Sequence, residues 1–535
     1  MRLWLGILLS ALVLQAQEAR IQVLGTTDTH GRVAAQDTFS LQPAPLGWAK
    51  LATLIRRHRA ENPATVLVDC GDTLQGEPLN YVRNTLRKDL PEPTVAILGA
   101  LGCAAMVVGN HDFDFGLDTL RGAEKQAAFP FLCANAVDPK GKPAFPTHTI
   151  VTVAGVRVAL LGLTTAGVGW MTEAGNTGNL TFRDPVATAR ELVPRLRERE
   201  RADVVIALIH AGLGAVNGRP DDEHAALRLA DQVPGLDAIF AGHSHQAVQM
   251  EHKGVPILQA HAQAQALAVL DLDLRKEKGR WRVVATSGRL ERPDLATPED
   301  PEPLALTAEL RAATDRYLDT AATQLLVDLD TRWSRMEDTG VMQLLHQVQR
   351  QATGAQLSAA ACPGPRTFIP KGPTSVRQFW ALAPYENRLA RIRVTGDQLR
   401  RYLEQAARHY AYSWEPDLYN RAVPFFNFDT VDGVGYALDL GKPPGSRVQN
   451  LTWQGQPVKP DQSFTLAITT YRLRGGGGYM AAMGFTGPPE LVTPDTQRNL
   501  LLAHVLARET LNPRPTHTWR TVPYLDRERV LQLAK

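Results

Sequence analysis

Cysteine is scarce in this sequence. Four in 535 residues are too few and too scattered for a disulfide framework. Cys70, Cys103 and Cys133 each lie in or beside an apolar strand-like run and read as buried free thiols; Cys362 falls near an expected loop. No two have the spacing of a metal-binding pair. Net charge is equally slight. The 58 basic and 55 acidic residues leave only +3, which speaks against binding a nucleic-acid polymer or coating a membrane, and leaves room for one local basic pocket. Repeats and low-complexity tracts are absent. Beyond the N-terminus no apolar run is long enough to span a bilayer, so no transmembrane anchor is expected.

The N-terminus itself has the make-up of an export signal. Arg2 supplies the positive start, Leu3 to Leu14 is almost wholly apolar, and Ala16 offers a small residue for cleavage. A signal peptide over 1–16 is therefore expected, with a periplasmic or secreted product. No cysteine stands near the cleavage point to carry a lipid.

The length calls for more than one core. From Arg20 to about Gly279, strand-like runs alternate with helical patterns, the signature of a layered α/β domain. Strands are expected at Ile21–Gly25, Thr65–Asp69, Ala104–Val108, Val156–Leu163, Val204–Ile209 and Ala238–Ala241, and helices include Gly47–Ala60 and Pro185–Arg201. Prolines and acids over Glu291–Pro303, followed by one amphipathic helix, Leu304–Leu318, read as a connector with a hinge near Pro293–Pro303. The expected units are a catalytic domain over 20–290, a helical linker over 291–330 and a C-terminal α+β substrate-binding domain over 331–535.

Five of the strands end in polar clusters. The first runs into Thr26-Thr27-Asp28-Thr29-His30-Gly31, the second into Asp69-Cys70-Gly71-Asp72-Thr73, and the third into Gly109-Asn110-His111-Asp112-Phe113-Asp114. The other two end in His210-Ala211-Gly212 and Gly242-His243-Ser244-His245. Ligands of α/β sheets bind beyond the carboxyl ends of the strands. Buried polar groups gathered there are costly unless a metal or charged ligand satisfies them. The donor set is oxygen and nitrogen without thiolate, which favours manganese, zinc, cobalt or iron. It exceeds the needs of one tetrahedral ion and suits two divalent metal ions bridged by a carboxylate, an arrangement that activates water and clamps both oxygens of a displacement at phosphorus. Asp112 and Asp114 both stand close enough in sequence to orient His111.

These five blocks, in this order, resemble the motifs of the calcineurin-like metallophosphoesterases, and over nearly all of the mature length the chain is similar to their secreted 5′-nucleotidase family. The resemblance implies a metallophosphoesterase sandwich. It implies Asp28, His30, Asp72 and His245 around one ion, and Asp72, Asn110, His210 and His243 around the other, with Asp72 bridging. His111 would stabilise the phosphoryl transition state without ligating, oriented by Asp114. The last position of the histidine pair is an amide in some members, which singles out His245.

The C-terminal half carries different signals. Tyr385-Glu386-Asn387 precedes a strand, Leu389–Val394, and Gly396 leads into a helix, Asp397–Ala407. Two further stretches follow, Pro424–Tyr436 and Ile468–Tyr479. In an extended segment Phe426 and Phe428 would share one face. The family resemblance implies that Tyr471 and either Phe426 or Phe428 sandwich a nucleotide base. Arg366 and Asn387 are candidates for phosphate or sugar contacts, and Asp429 and Asp432 either bind ribose hydroxyls or simply make a turn. The run Gly475–Gly478 lacks the lysine and helix of a phosphate loop, and reads as a flexible turn or a place of close backbone approach.

The wording of Phe426–Val434 and Thr470-Tyr471-Arg472 closely resembles the bacterial 2′,3′-cyclic-nucleotide 2′-phosphodiesterase/3′-nucleotidases. Asp112 and Asp114 stand where those relatives commonly carry Glu and Asn, a feature closer to the 5′-nucleotidase and UDP-sugar hydrolase branch. The expected partner is a small-molecule nucleotide. A non-catalytic nucleotide-binding protein of the envelope would keep the aromatics and lose the metal ligands, and a sulfur-compound hydrolase would lose the base seat; this chain keeps both sets.

Overall fold

The computed structural model describes residues 17–523, apart from 174, 215–222, 363, 365–366, 412–417 and 421–422, together with residue 528. The expected signal segment 1–16 and Arg366 lie outside the described residues.

The N-terminal half is a sandwich of two six-stranded sheets. Strands Glu18–Thr26, Thr65–Asp69 and Cys103–Val107 run parallel side by side in one sheet. Val156–Thr164, Val204–His210 and Ala238–Ala241 do the same in the other. The near-continuous apolar runs follow from burial of both faces of each strand. Successive side chains alternate between two cores. In Val204–His210, the residues Val204, Ile206 and Leu208 pack between the sheets, while Val205, Ala207 and Ile209 meet the helices outside. Val66 and Val68 likewise face inward and Leu67 outward. Phe240 reaches across the sandwich to Gly25, where a β-carbon would stand 2.3 Å from its ring, so that glycine sets the sheet spacing. All four cysteines are free and buried.

The C-terminal half is built on a five-stranded sheet, ordered Asp429–Asp432, Leu357–Ala361, Ser463–Thr469, Arg388–Thr395 and Leu491–Thr496. One face packs on helix Gly396–Ala407 through Leu399, Tyr402 and Leu403. Thr395 and Gln398 start that helix with a reciprocal cap. The other face packs on helices Gly340–Thr353 and Gln497–Leu506.

The connector differs from expectation. Its single helix is two, Pro301–Leu306 and Ala308–Leu318, because Thr307 leaves helical geometry and its hydroxyl turns back to the Pro303 carbonyl. The stretch expected to hinge is fastened along helix Trp48–Glu61. The Lys50 ammonium donates to the carbonyls of Asp294, Leu295 and Thr297, and Arg56 pairs with Asp300 and Glu302. Leu310 lies in the N-terminal core and Leu318 in the C-terminal one, so this helix belongs to both halves. No helix of the described residues is long and apolar enough to cross a membrane.

Candidate functional site

The five polar strand ends converge, three from one sheet and two from the other, at the shared carboxyl edge of the sandwich. Asp28, His30, Asp72 and His245 bring ligand atoms within 4.8 Å of one another, and so do Asp72, His210 and His243. Asp72 belongs to both groups. The Asn110 amide oxygen joins the second, 2.8 Å from His243 Nδ1 and 3.1 Å from His210 Nε2.

Neighbouring groups aim these donors. His30 Nδ1 donates to the Gln75 carbonyl and His210 Nδ1 to the Cys70 carbonyl, which turns each Nε2 inward. His30 Nε2 then faces His245 Nε2 at 3.0 Å, an approach of two ring nitrogens that a shared cation would satisfy. Asp72 Oδ1 accepts the His111 amide, whereas buried Oδ2 receives no hydrogen bond although His210 Nε2 is 3.1 Å away. An orphaned carboxylate oxygen among imidazoles fits a pair of divalent cations. Asp28, Asp72 and His210 are fully buried, and His245 is 48% exposed at its side chain.

Backbone strain marks the same residues. Asp28, His30, Asp72, His243 and His245 all have φ between 50° and 71°, a left-handed conformation uncommon outside glycine and concentrated at functional sites. Gly109 is required for a different reason: a β-carbon there would stand 2.2 Å from Asp72 Oδ1.

His111 lies beside this cluster. Its Nδ1 is 2.7 Å from Asp114 Oδ2. Burial works against the imidazolium, yet the carboxylates of Asp114 and Asp72 prevail and push it up to about 10. His30, buried and beside His245, is pushed down to about 4 and presents a neutral ring. Asp112, the other candidate to orient His111, is committed elsewhere. Its carboxylate accepts the amides of Gly109, Asp72, Thr73 and Leu74, and so ties the Asp72 loop to the Asn110 turn.

A cavity of about 540 Å³ extends from Asn110, His111 and His243 to Asn387, Phe426 and Tyr471 of the C-terminal half. Phe426 sits on a 3-10 turn, Phe425–Asn427, and Tyr471 on a short helix, Thr470–Leu473. The turn overturns the expected alternation of an extended segment. Phe428 does not share the exposed face of Phe426; it is 2% exposed and packs against His409, Tyr410 and Trp519 in the core. Asp432 is also withdrawn from the cavity, 7% exposed and paired with Arg350 at 2.9 Å. Asp429 is held by Arg472 and Tyr402. The glycine run backs the aromatic seat. At Gly476 a β-carbon would lie 2.4 Å from the Tyr471 ring.

Two further residues, Arg472 from the Thr470-Tyr471-Arg472 stretch and Glu173, which has no sequence signal, complete this wall. Arg472, 4% exposed, donates to both Asp429 oxygens, to Asn427 Oδ1 and to the Phe426 carbonyl, joining the Phe426 turn to the Tyr471 helix. Glu173 reaches the same helix from the N-terminal half.

Two family profiles match different stretches of the chain. The family profile described as calcineurin-like phosphoesterase matches residues 21–247, and that described as 5′-nucleotidase, C-terminal domain, matches 317–483. A Haemophilus influenzae protein named 2′,3′-cyclic-nucleotide 2′-phosphodiesterase/3′-nucleotidase is 28% identical, over 94% of this chain and 87% of its own. The Bacillus subtilis trifunctional nucleotide phosphoesterase protein YfkN is 27% identical over 95% of this chain, which spans only 39% of that longer protein. The crystal structure of a putative 5′-nucleotidase from Staphylococcus aureus superposes with a TM-score of 0.82 at 20% identity, covering 94% of this chain and all of the other.

Proposed function

The chain carries a calcineurin-like metallophosphoesterase domain followed by a 5′-nucleotidase C-terminal domain and is a phosphoric ester hydrolase, and from that premise we propose that it hydrolyses 2′,3′-cyclic nucleotides and 3′-nucleotides. The observation that supports this reading is one cavity joining the carboxylate–imidazole cluster to Phe426 and Tyr471. The curated relative from Haemophilus influenzae, named for that pair of activities, matches along most of both chains.

Asp28, His30, Asp72 and His245 would hold one divalent cation, and Asp72, Asn110, His210 and His243 a second. When bound, such a pair activates water and neutralises charge on phosphorus-bound oxygens; manganese, zinc, cobalt and iron suit these donors. The chain's own groups do the rest. Asp114 keeps His111 protonated and fixes its ring, so that the free Nε2–H donates to a phosphoryl oxygen as charge builds there. Phe426 and Tyr471 take the base by stacking, worth about 1–3 kcal/mol per contact. Asn387, on the cavity wall, is placed for the sugar or phosphate. Export follows from Arg2, the apolar stretch Leu3–Leu14 and Ala16; N-terminal sequencing of the expressed protein tests it.

One observation favours a second reading, a 5′-nucleotidase: the orienting group of His111 is the carboxylate of Asp114, a feature of that branch. Inorganic phosphate release from 2′,3′-cyclic AMP, 3′-AMP and 5′-AMP, with and without added manganese, decides between them. Release from 5′-AMP alone overturns the first reading, and no release from any overturns both.

A further inference from the structure

The loop that follows helix Val168–Met171 touches both ends of the cavity. On one side the Thr172 hydroxyl donates to the Asn110 carbonyl at 3.2 Å, and the Asn176 amide donates to the Asp114 carbonyl at 2.7 Å. These contacts fasten the loop to the turn that carries Asn110, His111 and Asp114. On the other side, the Glu173 carboxylate accepts the Thr470 hydroxyl and pairs with the Arg474 guanidinium at 2.7 Å. Arg474 also donates to the Thr172 carbonyl. Thr470 and Arg474 flank Tyr471, the first at the start of its short helix and the second just past its end.

We propose that Glu173 is a positioning residue that couples the nucleobase seat to the catalytic turn, fixing Tyr471 relative to His111 across the two halves of the chain. The inference rests on the reading of Tyr471 as a base-stacking residue. Its physical basis is the placement of a carboxylate between Thr172 and Asn176, whose side chains both bond to the catalytic turn. The Glu173 and Arg474 side chains are 13% and 18% exposed, so water competes weakly and the charge-assisted contacts keep their strength. Arg472 holds the Tyr471 helix to the Phe426 turn within the C-terminal half; Glu173 alone among the described residues ties that helix by side chain to the N-terminal half through both of its flanks.

The test compares E173A, R474A and the double variant in full-length, metal-loaded protein. Substrates are the preferred nucleotide and p-nitrophenyl phosphate, which has no base. Adenosine affinity is measured alongside by calorimetry. E173A is expected to lower the ratio of nucleotide to p-nitrophenyl phosphate kcat/KM by about tenfold, mainly through KM, and to weaken adenosine by a similar factor. R474A should do the same, and the double variant should add little, since the two side chains form one unit. E173Q, which keeps an acceptor for Thr470, should recover part of the loss. Equal losses on both substrates overturn the proposal and make the loop a support of the catalytic turn. Additive losses in the double variant, or adenosine affinity untouched by E173A, overturn it as well. A wild-type chain that neither binds adenosine nor prefers nucleotides removes the nucleotide reading itself, and this proposal with it.

Discussion

Asp114 and His111 stand three residues apart on one tight turn, with carboxylate and imidazole 2.7 Å from each other. The pair occupies His111 Nδ1, and His111 lines the cavity. Replacing His111 with alanine is expected to lower kcat by about 10²–10⁴-fold, the range of a lost acid–base or charge-stabilising group, while metal content stays at the wild-type level. Metal analysis of the purified variant checks this; lost metal would make His111 a ligand instead. D114N should fall between wild type and H111A.

Asp72 is the one carboxylate common to both ligand groups. D72N is therefore expected to lower occupancy at both positions together, with activity down about a hundredfold or more. Elemental analysis after equilibration with manganese reads this directly. Full loading of D72N would show that the two groups do not share it.

Gly476 lies flat against Tyr471. G476A keeps an accessible backbone conformation but drives a methyl into the ring, 2.4 Å from it. The ring must shift, and the stack with a base weakens. An increase in nucleotide KM of about tenfold is expected, from a contact worth about 1–3 kcal/mol. Steady-state kinetics on the nucleotide and on p-nitrophenyl phosphate should show the change in the first only.

His409, packed against Tyr410 and Phe428 in the C-terminal half, supplies a pH test outside the carboxylate–imidazole cluster. Burial, aided by the nearby Arg335 charge, pushes its imidazole from 6.5 down to about 4. A group depressed in the folded state stabilises fully above its unfolded value, and that stabilisation is lost as pH falls through the folded one. The wild-type Tm should therefore drop between pH 6.5 and 4 more steeply than that of H409Q. Parallel curves would contradict this assignment.

The convergence of the carboxylates and imidazoles is legible in sequence because it is written locally. Each residue of the cluster lies within a few residues of a strand end, so the apolar run and the polar cluster after it announce each other. The strands themselves were readable within a residue or three, because both faces are buried and the runs are apolar throughout. The aromatic wall of the cavity is less legible. A period of two puts Phe426 and Phe428 on one face, but the chain turns through a 3-10 helix at Phe425–Asn427, and Phe428 ends in the core. Asp432, a candidate for a ribose contact or for a simple turn, pairs with Arg350. Nothing near Glu173 in the sequence points to its role, because its partner Thr470 is 297 residues away.

His245 differs from the other six proposed ligands in being half open to solvent. Ligand exchange begins where water can reach, so if two cations are held, the one beside His30 and His245 is expected to leave before the one beside His210. Mild chelation would then yield a half-loaded protein before an empty one.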